Sequence, residues 1–298
     1  MIKIGTYPLG DETLSFEERM QILKDVGFDY ICLSIGGLAS PKVREVCERL
    51  ELEIGDVHLT GDGTHALWAE GEEGDRIAQR YCDEIRTCSE NGVKTAVLHA
   101  LYGYAEPAPM GEIGLSRFLR IVECAEKNGV RLALENSLFD RYLCFLLERI
   151  KSPYFGYCFD SGHHHAFARE MDLLSMWGDR LCATHLQDND GERDLHLYPL
   201  DGTMDWKKTA EGLARCPHAR ERICAEVVRV RDCKMKGLRA EELVKKFEGT
   251  RAYRDGLLQF SDEHVLAYGG MSFEQSAQRL YLAMKEIAAD IERAAARA

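Results

Sequence analysis

Short runs of β-branched and apolar residues alternate along the chain with longer stretches in which apolar residues recur every three or four positions. The short runs are typical of buried strands, and the longer stretches are typical of amphipathic helices. Eight strands are predicted, over residues 2–5, 29–34, 53–59, 95–100, 131–136, 155–160, 181–186 and 222–228. The predicted helices cover residues 15–26, 41–50, 73–91, 112–128, 139–150, 164–177, 206–215 and 271–298.

Capping signals mark the ends of several predicted helices. Ser15 stands before the first apolar stripe and Glu18 follows three residues later, which is the spacing of a capping box. Gly27, Gly92 and Gly129 each follow a predicted helix, where a left-handed C-cap favours glycine. These capping residues support the alternation of strands with helices.

Strands that alternate with helices predict a parallel sheet with right-handed crossovers. Eight such units close into a (β/α)8 TIM barrel, and we predict one such α/β domain over residues 1–298. An open doubly wound sheet is the alternative, but the sequence GTYPLGDE at its first turn does not fit the expected GxGxxG. Residues 229–270 break the alternation, and we predict an insertion or interface segment there, with two short helices, before the closing helix.

Composition and charge narrow the class of protein. The chain has 298 residues and a net charge of −12, which disfavours nucleic-acid phosphate as the main partner. Its eleven cysteines include no CxxC pair, so we predict buried free thiols in a reducing compartment. We see neither a signal-peptide pattern nor an apolar run that could span a membrane, and we therefore expect a cytoplasmic protein without membrane contact.

Six predicted strands carry, at their ends, a residue that can bind a metal ion. These residues are His58, His99, Glu135, Asp160, His185 and Glu226. The carboxyl ends of barrel strands share one face, which is where barrel enzymes carry their active sites. Carboxylates and imidazoles crowded in a partly dry cavity repel one another unless protons or a cation neutralise them. The pattern therefore predicts a divalent metal with nitrogen and oxygen ligands.

Four motifs give the chain a resemblance to a known superfamily. They are ALEN with Glu135, FDSGH with Asp160 and His163, HLQDNDG with His185, and AEV with Glu226. Over residues 1–228 and the last helix, the chain resembles the xylose-isomerase-like barrels, which group sugar isomerases and epimerases with endonuclease IV-type apurinic-site nucleases. The epimerase branch implies one metal held by Glu135, Asp160, His185 and Glu226, with His163 in contact with substrate.

The nuclease branch implies a larger ligand set that holds three zinc ions. Its counterparts here are His58, His99, Glu135, Asp160, His163, His185, Asp194, His196 and Glu226. The loops after His58 and His99 nevertheless carry acids and no Lys or Arg, and such loops repel DNA phosphate. The basic residues 229–246 are the counter-argument, because they follow the eighth strand and could reach the same face. We favour a neutral sugar or polyol over abasic DNA.

The sugar hypothesis predicts roles for the remaining residues. Isomerisation and epimerisation beside a carbonyl both move a C–H proton through an enediolate, and a metal polarises the carbonyl. Glu135 and Glu226 are the predicted acid/base pair, and Mn, Zn, Mg or Co is the predicted cofactor, without an organic cofactor. The residues predicted to contact substrate are His163, His99, His58, Trp68, Tyr102 and Tyr7.

Other activities stay open at this stage. A metal-dependent lyase or dehydratase would use the same proton abstraction, and a zinc-dependent phosphodiesterase is the main alternative. A barrel that only binds a sugar or a partner subunit should lack a core ligand, and this chain has all four. The sequence also leaves a homo-oligomer open.

Overall fold

Eight short parallel strands form the inner layer of the molecule. The computed structural model describes residues 1–11, 13–103, 108–232, 245, 248–260, 264–268 and 270–297. The strands are β1 Lys3–Thr6, β2 Tyr30–Ser34, β3 Glu53–His58, β4 Thr95–His99, β5 Arg131–Glu135, β6 Phe155–Asp160, β7 Leu181–His185 and β8 Arg222–Ala225. They lie in the order β7-β6-β5-β4-β3-β2-β1-β8, and the pairings between neighbouring strands in this order are parallel. The predicted (β/α)8 barrel is confirmed.

The barrel closes between β7 and β8 through a short stretch of parallel pairing. Leu186, just after β7, forms a parallel bridge with Ala225. Its backbone N–H donates to the carbonyl of Cys224 at 2.8 Å, and its carbonyl accepts from the N–H of Glu226 at 3.1 Å. Strand β8 is shorter than predicted, because regular pairing ends at Ala225, but the join still brings Glu226 to the rim beside the end of β7.

The helices pack outside the strands. They are α1 Phe16–Val26, α2 Ile35–Ala39, α3 Pro41–Arg49, α4 Glu72–Glu90, α5 Glu112–Asn128, α6 Asp140–Arg149, α7 Ser161–Phe167, α8 Leu173–Trp177, α9 Trp206–Leu213, α10 Arg251–Arg254 and α11 Phe273–Ala295. The predicted capping box of α1 is present, and Gly27 ends that helix with a φ of +118°. The sequence missed α2 and a 3₁₀ turn over Thr64–Trp68.

One predicted helix, over residues 164–177, is divided into α7 and α8. Asp160 caps the start of α7 by accepting from the N–H of His163, and Ala168 ends it. Asp172 then caps α8 by accepting from the N–H of Ser175. A second N-cap inside an apolar stretch starts a new helix, because the side-chain oxygen satisfies N–H groups that have no partner in the helix.

The segment between β8 and the closing helix is partly described. It contains β9 Val230–Asp232, α10, β10 Leu258–Phe260 and β11 His264–Ala267, and the three strands form an antiparallel sheet in the order β10-β11-β9. The sequence predicted two short helices and a separate GLLQF segment here; within the described residues α10 is one short helix, and the GLLQF segment contributes β10. Residues 233–244 and 246–247, with most of the predicted basic run, lie outside the described residues. An interface role for this segment stays a prediction.

The barrel interior is packed with side chains below the rim. Tyr30 is 2% exposed, and its ring occupies the space that Gly5 and Gly55 leave open, because a Cβ at either glycine would overlap the ring. Cys32 and Cys224 lie beside it, also buried. The ten cysteines of the described residues are free thiols. No helix among the described residues is long and apolar enough to cross a membrane.

Candidate metal centre

The ends of four neighbouring strands bring together a compact group of side chains that could bind a metal ion. Glu135, Asp160 and His185 are the last residues of β5, β6 and β7, and Glu226 directly follows β8. One nitrogen or oxygen atom from each residue lies within 4.8 Å of all the others. The four ligands that the resemblance implied are therefore adjacent at the carboxyl rim of the barrel.

The donor atoms at the middle of this group lie close to one another without forming hydrogen bonds. His185 Nδ1 lies 3.2 Å from Glu135 Oε1 and 3.0 Å from Glu226 Oε2. Even so, His185 Nδ1, Glu135 Oε1 and Asp160 Oδ2 are buried without a hydrogen bond. Buried polar atoms are costly unless they are satisfied. Three such atoms from three strands, together with Glu226, fit a divalent cation with nitrogen and oxygen ligands.

Burial and the charges of neighbouring histidines shift the pKa values of the carboxyls in this group. Burial opposes ionisation of Glu135 and Glu226, but the charge of His185 lowers the pKa of both carboxyls below the usual range. Burial raises the pKa of Asp160, which the His163 charge only partly offsets. The protein alone therefore favours ionisation of Glu135 and Glu226 more strongly than ionisation of Asp160, because the His185 charge outweighs burial at the two glutamates and the His163 charge does not outweigh it at Asp160.

A second group adjoins the first through Glu135. His58 Nε2 lies 3.1 Å from Glu135 Oε2, and His99 Nε2 lies 3.5 Å from the same oxygen. His99 is 3% exposed and its Nδ1 has no hydrogen-bond partner. Burial lowers the pKa of His99 to about 4, so this imidazole is neutral near pH 7.

A third group forms on the other side of Asp160. His196 Nε2 lies 3.0 Å from Asp194 Oδ2, and His163 Nε2 lies 3.7 Å from the same atom. His163 also approaches Glu135 Oε1 at 3.5 Å and Asp160 Oδ1 at 3.7 Å through Nδ1. Thus the third group is in direct contact with the first.

Backbone carbonyls orient three of these histidines. The Nδ1 atoms of His58, His163 and His196 face the carbonyl oxygens of Leu59, Asn136 and Glu226 at 2.8, 3.0 and 3.0 Å. A carbonyl only accepts hydrogen bonds, so each Nδ1 carries a proton. Each Nε2 is then directed at a carboxylate, an arrangement that metal-binding histidines also use.

Two amide side chains brace the centre, and the sequence did not single them out. Asn136 accepts from the backbone N–H of Asp160 at 2.9 Å and donates to its carbonyl at 2.9 Å. Gln187 donates to Asp160 Oδ1 at 3.3 Å and to Asp194 Oδ1 at 2.9 Å. Asn136 directly follows Glu135 in ALEN, and Gln187 stands two residues after His185 in HLQD. This position beside a strand-end candidate ligand is the sequence signal that could have identified both amides.

A cavity of about 480 Å³ opens above the centre. Its described lining includes Glu135, Glu226, His58, His99, His163, Asp194, His196, Tyr7, Tyr102, Ser34, Ile35, Gly36, Leu59, Thr60 and Gly61. Among these described lining residues there is no Lys and no Arg. The described wall thus offers acids, imidazoles and hydroxyls, without a Lys or Arg to pair with an anionic ligand.

The three predicted aromatic contacts have different outcomes. Tyr102 is 51% exposed and lines the cavity, with its ring 5.3 Å from that of His99. Tyr7 also lines the cavity, and its hydroxyl donates to Asp56 at 2.9 Å. These positions are compatible with the predicted substrate contacts, which stay predictions.

Trp68 requires a correction. It is 3% exposed, its Nε1 donates to the carbonyl of Ala100 at 2.9 Å, and its ring packs on Phe118, Tyr142 and Phe145. It does not line the cavity above the metal centre. The 3₁₀ turn over Thr64–Trp68 turns this side chain toward α5 and α6, so Trp68 is a packing residue and cannot stack on a substrate from this position.

Asp56 is a buried acid that the sequence reasoning missed. It lies on β3 two residues before His58, so the two side chains share one face of the strand. Its carboxylate is 3.6 Å from His185 Nε2 and 3.1 Å from the thiol of Cys32. An acid in register with a strand-end ligand was the signal that could have identified it.

The fold and the rim together define the class: a (β/α)8 barrel with a candidate divalent-metal centre at the carboxyl ends of its strands. Residues 20–241 match the family described as "Xylose isomerase-like TIM barrel". The match covers well over half of the chain, which therefore belongs to this family.

This chain is similar to individual known proteins over different shares of its length. An uncharacterised protein of Sinorhizobium fredii, y4fM, is 38% identical over 98 residues, which is 30% of this chain and 31% of that protein. The chain thus spans about a third of that relative's length.

A D-psicose 3-epimerase from Clostridium cellulolyticum H10, solved with D-tagatose, is 12% identical with a TM-score of 0.71, over 96% of this chain and 99% of that one. The IolI protein, solved with a bound zinc atom, is 14% identical with a TM-score of 0.66, over 96% and 98%.

Proposed function

We propose that the protein is a divalent-metal-dependent isomerase or epimerase of a sugar or sugar-like polyol. The observation that carries this proposal is that two carboxylates, Glu135 and Glu226, approach the same imidazole nitrogen from separate strands and both line the cavity. Two carboxylates on separate strands suit a reaction in which one group removes a carbon-bound proton and another returns it. The resemblance of the fold to sugar 3-epimerases supports the same class.

Glu135, Asp160, His185 and Glu226 would hold the ion. When bound, a divalent cation would polarise a carbonyl and stabilise the negative charge that develops on its oxygen. The buried and unpartnered donor atoms of three of these residues support this assignment.

The two glutamates differ in their access to substrate. The Glu226 side chain is 22% exposed, whereas that of Glu135 is 1% exposed. Glu226 therefore has more freedom to receive a proton from a bound substrate through a carboxylate oxygen that faces the cavity. Glu135 is held between His58, His99 and His185, and we assign it the return of the proton on the opposite side.

The histidines and Tyr102 would hold the rest of the substrate. His99 lines the cavity, and we assign it a hydrogen bond to a substrate hydroxyl. His58 and His163 line the same wall, and the exposed ring of Tyr102 offers a face on which a sugar ring can stack.

The cavity favours a neutral substrate. Its volume of about 480 Å³ is in the ordinary range for small-molecule sites. Because no Lys or Arg is among its described lining residues, a phosphate group would enter a wall rich in carboxylates without a basic partner. A free sugar or polyol is therefore the substrate class that we propose.

One observation favours the second candidate, a zinc-dependent phosphodiesterase acting on abasic DNA. All nine residues of the larger ligand set fall into three mutually adjacent groups. The groups His58–His99–Glu135 and His163–Asp194–His196 each offer three donor atoms within 4.8 Å. The acidic cavity wall weighs against a polyanionic substrate, and for that reason we place this activity second.

Ion counting and substrate trials separate the two candidates. The protein is freed of metal by chelation, reloaded separately with Mn²⁺ and Zn²⁺, and assayed for ions per chain. Free ketoses are incubated with each form in D₂O, and deuterium on a carbon next to the carbonyl is measured by NMR. We expect about one tightly held ion and ion-dependent deuterium incorporation. Three zinc ions per chain with cleavage of an abasic duplex would transfer the assignment to the phosphodiesterase.

The His196→Ala variant adds a residue-level test of the same choice. Its imidazole belongs to the third group and is not one of the four proposed ligands of the single ion. For a one-ion enzyme we expect the ion count to stay the same and kcat to fall less than about tenfold. A loss of one ion per chain together with all activity would indicate a larger metal cluster.

A further inference from the structure

His185 presents its two ring nitrogens to different surroundings. Nδ1 faces the candidate ion position, 3.2 Å from Glu135 Oε1 and 3.0 Å from Glu226 Oε2. Nε2, on the other side of the ring, lies 3.3 Å from the Tyr7 hydroxyl oxygen and 3.6 Å from Asp56 Oδ1. The ring is fully buried, so these contacts decide where its proton resides.

The Tyr7 hydroxyl connects His185 to Asp56. A hydroxyl has one proton, and Tyr7 donates it to Asp56 Oδ1 at 2.9 Å. The remaining lone pairs of the hydroxyl oxygen can only accept a hydrogen bond. The partner at 3.3 Å is His185 Nε2, which therefore has to carry the donated proton.

The second carboxylate oxygen of Asp56 accepts from a thiol, which in turn contacts a second thiol. Cys32 Sγ lies 3.1 Å from Asp56 Oδ2, and Cys224 Sγ lies 3.2 Å from Cys32 Sγ. Both thiols are buried, on β2 and β8. The hydrogen bonds from Tyr7 and Cys32 are both donated to Asp56, so this buried carboxylate is the common acceptor of the network.

We propose that Asp56, acting through Tyr7, is a positioning residue that keeps the His185 proton on Nε2 and directs the Nδ1 lone pair at the metal ion. The inference rests on the proposed metal site. A neutral imidazole can carry its proton on either nitrogen, and only the unprotonated nitrogen can bind a metal. Hydrogen-bonded partners of this kind orient metal-binding histidines and typically raise metal affinity 10- to 100-fold.

The test compares two variants with a matched control. Tyr7→Phe removes the connecting hydroxyl and keeps the ring, whereas Asp56→Asn removes the carboxylate charge with little change of shape. Tyr102→Phe is the control, because Tyr102 lines the same cavity but is not in the network. The affinity of each metal-free protein for Mn²⁺ and Co²⁺ is measured by competition with a chelator, and the Co²⁺ absorption spectrum is recorded. Thermal unfolding of each metal-free variant verifies that it is folded.

We expect Tyr7→Phe and Asp56→Asn to lower the affinity for both ions about 10- to 100-fold and to change the Co²⁺ spectrum. The control should bind both ions within about twofold of wild type, with the same spectrum. Folded Tyr7→Phe protein with wild-type affinity and spectrum would overturn the inference while leaving the metal site intact. If the wild type itself bound neither ion, the metal-dependent function would fail, and the inference with it.

Discussion

At the scale of single residues, the proposed chemistry depends on how differently similar carboxylates are placed. Glu226 lines the cavity with its side chain partly exposed, whereas Asp160 is fully buried and braced by Asn136 and Gln187. A braced carboxylate suits ion binding, and a partly exposed one suits proton exchange with a substrate. All of these acids stand at strand ends in the sequence, so their position in the chain does not distinguish them. The proposed division of roles therefore follows from the surroundings that the fold gives to each carboxylate.

The Glu226→Gln variant tests that division. The amide keeps the size of the side chain but cannot accept a proton, so we expect kcat to fall by at least about 10²- to 10⁴-fold. The unfolding midpoint should stay close to that of wild type. Deuterium incorporation from D₂O and thermal unfolding measure the two effects, and turnover retained in the variant would remove Glu226 from the proton transfer.

Asp140 gives a stability prediction away from the metal centre. Its Oδ1 accepts from the N–H of Ser137 at 2.8 Å, but its Oδ2 is buried without a partner. Burial raises the pKa of Asp140 from 3.8 to about 7. Because the folded protein holds this proton more tightly than the unfolded chain, stability is lost as the pH rises from about 4 to about 7.

Asp140→Asn should remove this penalty and keep the acceptor for Ser137. We expect the free energy of unfolding at pH 8 to rise by about 1–2 kcal/mol over wild type, with little gain at pH 4. Urea titrations of both proteins across this range measure the difference. A gain that was largest at acid pH would contradict the assignment.

At the scale of elements, the barrel strands were predictable because they are short apolar runs that end on, or directly before, a polar residue. The two-residue alternation also fixes which side chains point inward. What the sequence pattern could not show is how a turn directs a side chain. The sequence predicted Trp68 as a substrate contact, but the 3₁₀ turn over Thr64–Trp68 buries it. The register of Asp56 with His58 was a signal in the sequence, but its role depends on Tyr7, Cys32 and His185, which only the fold brings to it.

The packing of Tyr30 between strands allows a matched test. A Cβ at Gly5 would overlap the Tyr30 ring, whereas nothing lies within 4 Å of a Cβ at Gly10. We expect Gly5→Ala to lower the free energy of unfolding by about 1–3 kcal/mol, because the buried ring has little room to move. Gly10→Ala should stay within about 0.5 kcal/mol of wild type in the same denaturant titration. Equal effects of the two changes would mean that the ring does not occupy this space.

At the scale of the whole molecule, the sheet topology brings together residues that are far apart in the chain. The four proposed ligands are spread over 92 positions of the chain, from Glu135 to Glu226, yet adjacent strands bring them to one rim. The sequence predicted this meeting from the rule that parallel strands end on the same face. The three adjacent groups, their shared Glu135 and the bracing amides became visible only with the side chains in place.

The most direct test of the account is the position of a bound ion. A crystal grown with excess Mn²⁺ or Zn²⁺ and measured at the metal's absorption edge locates the ion independently of any assay. We predict an anomalous peak within bonding distance of Glu135, Asp160, His185 and Glu226. An empty centre in such a crystal, or an ion bound only elsewhere, would contradict the central claim.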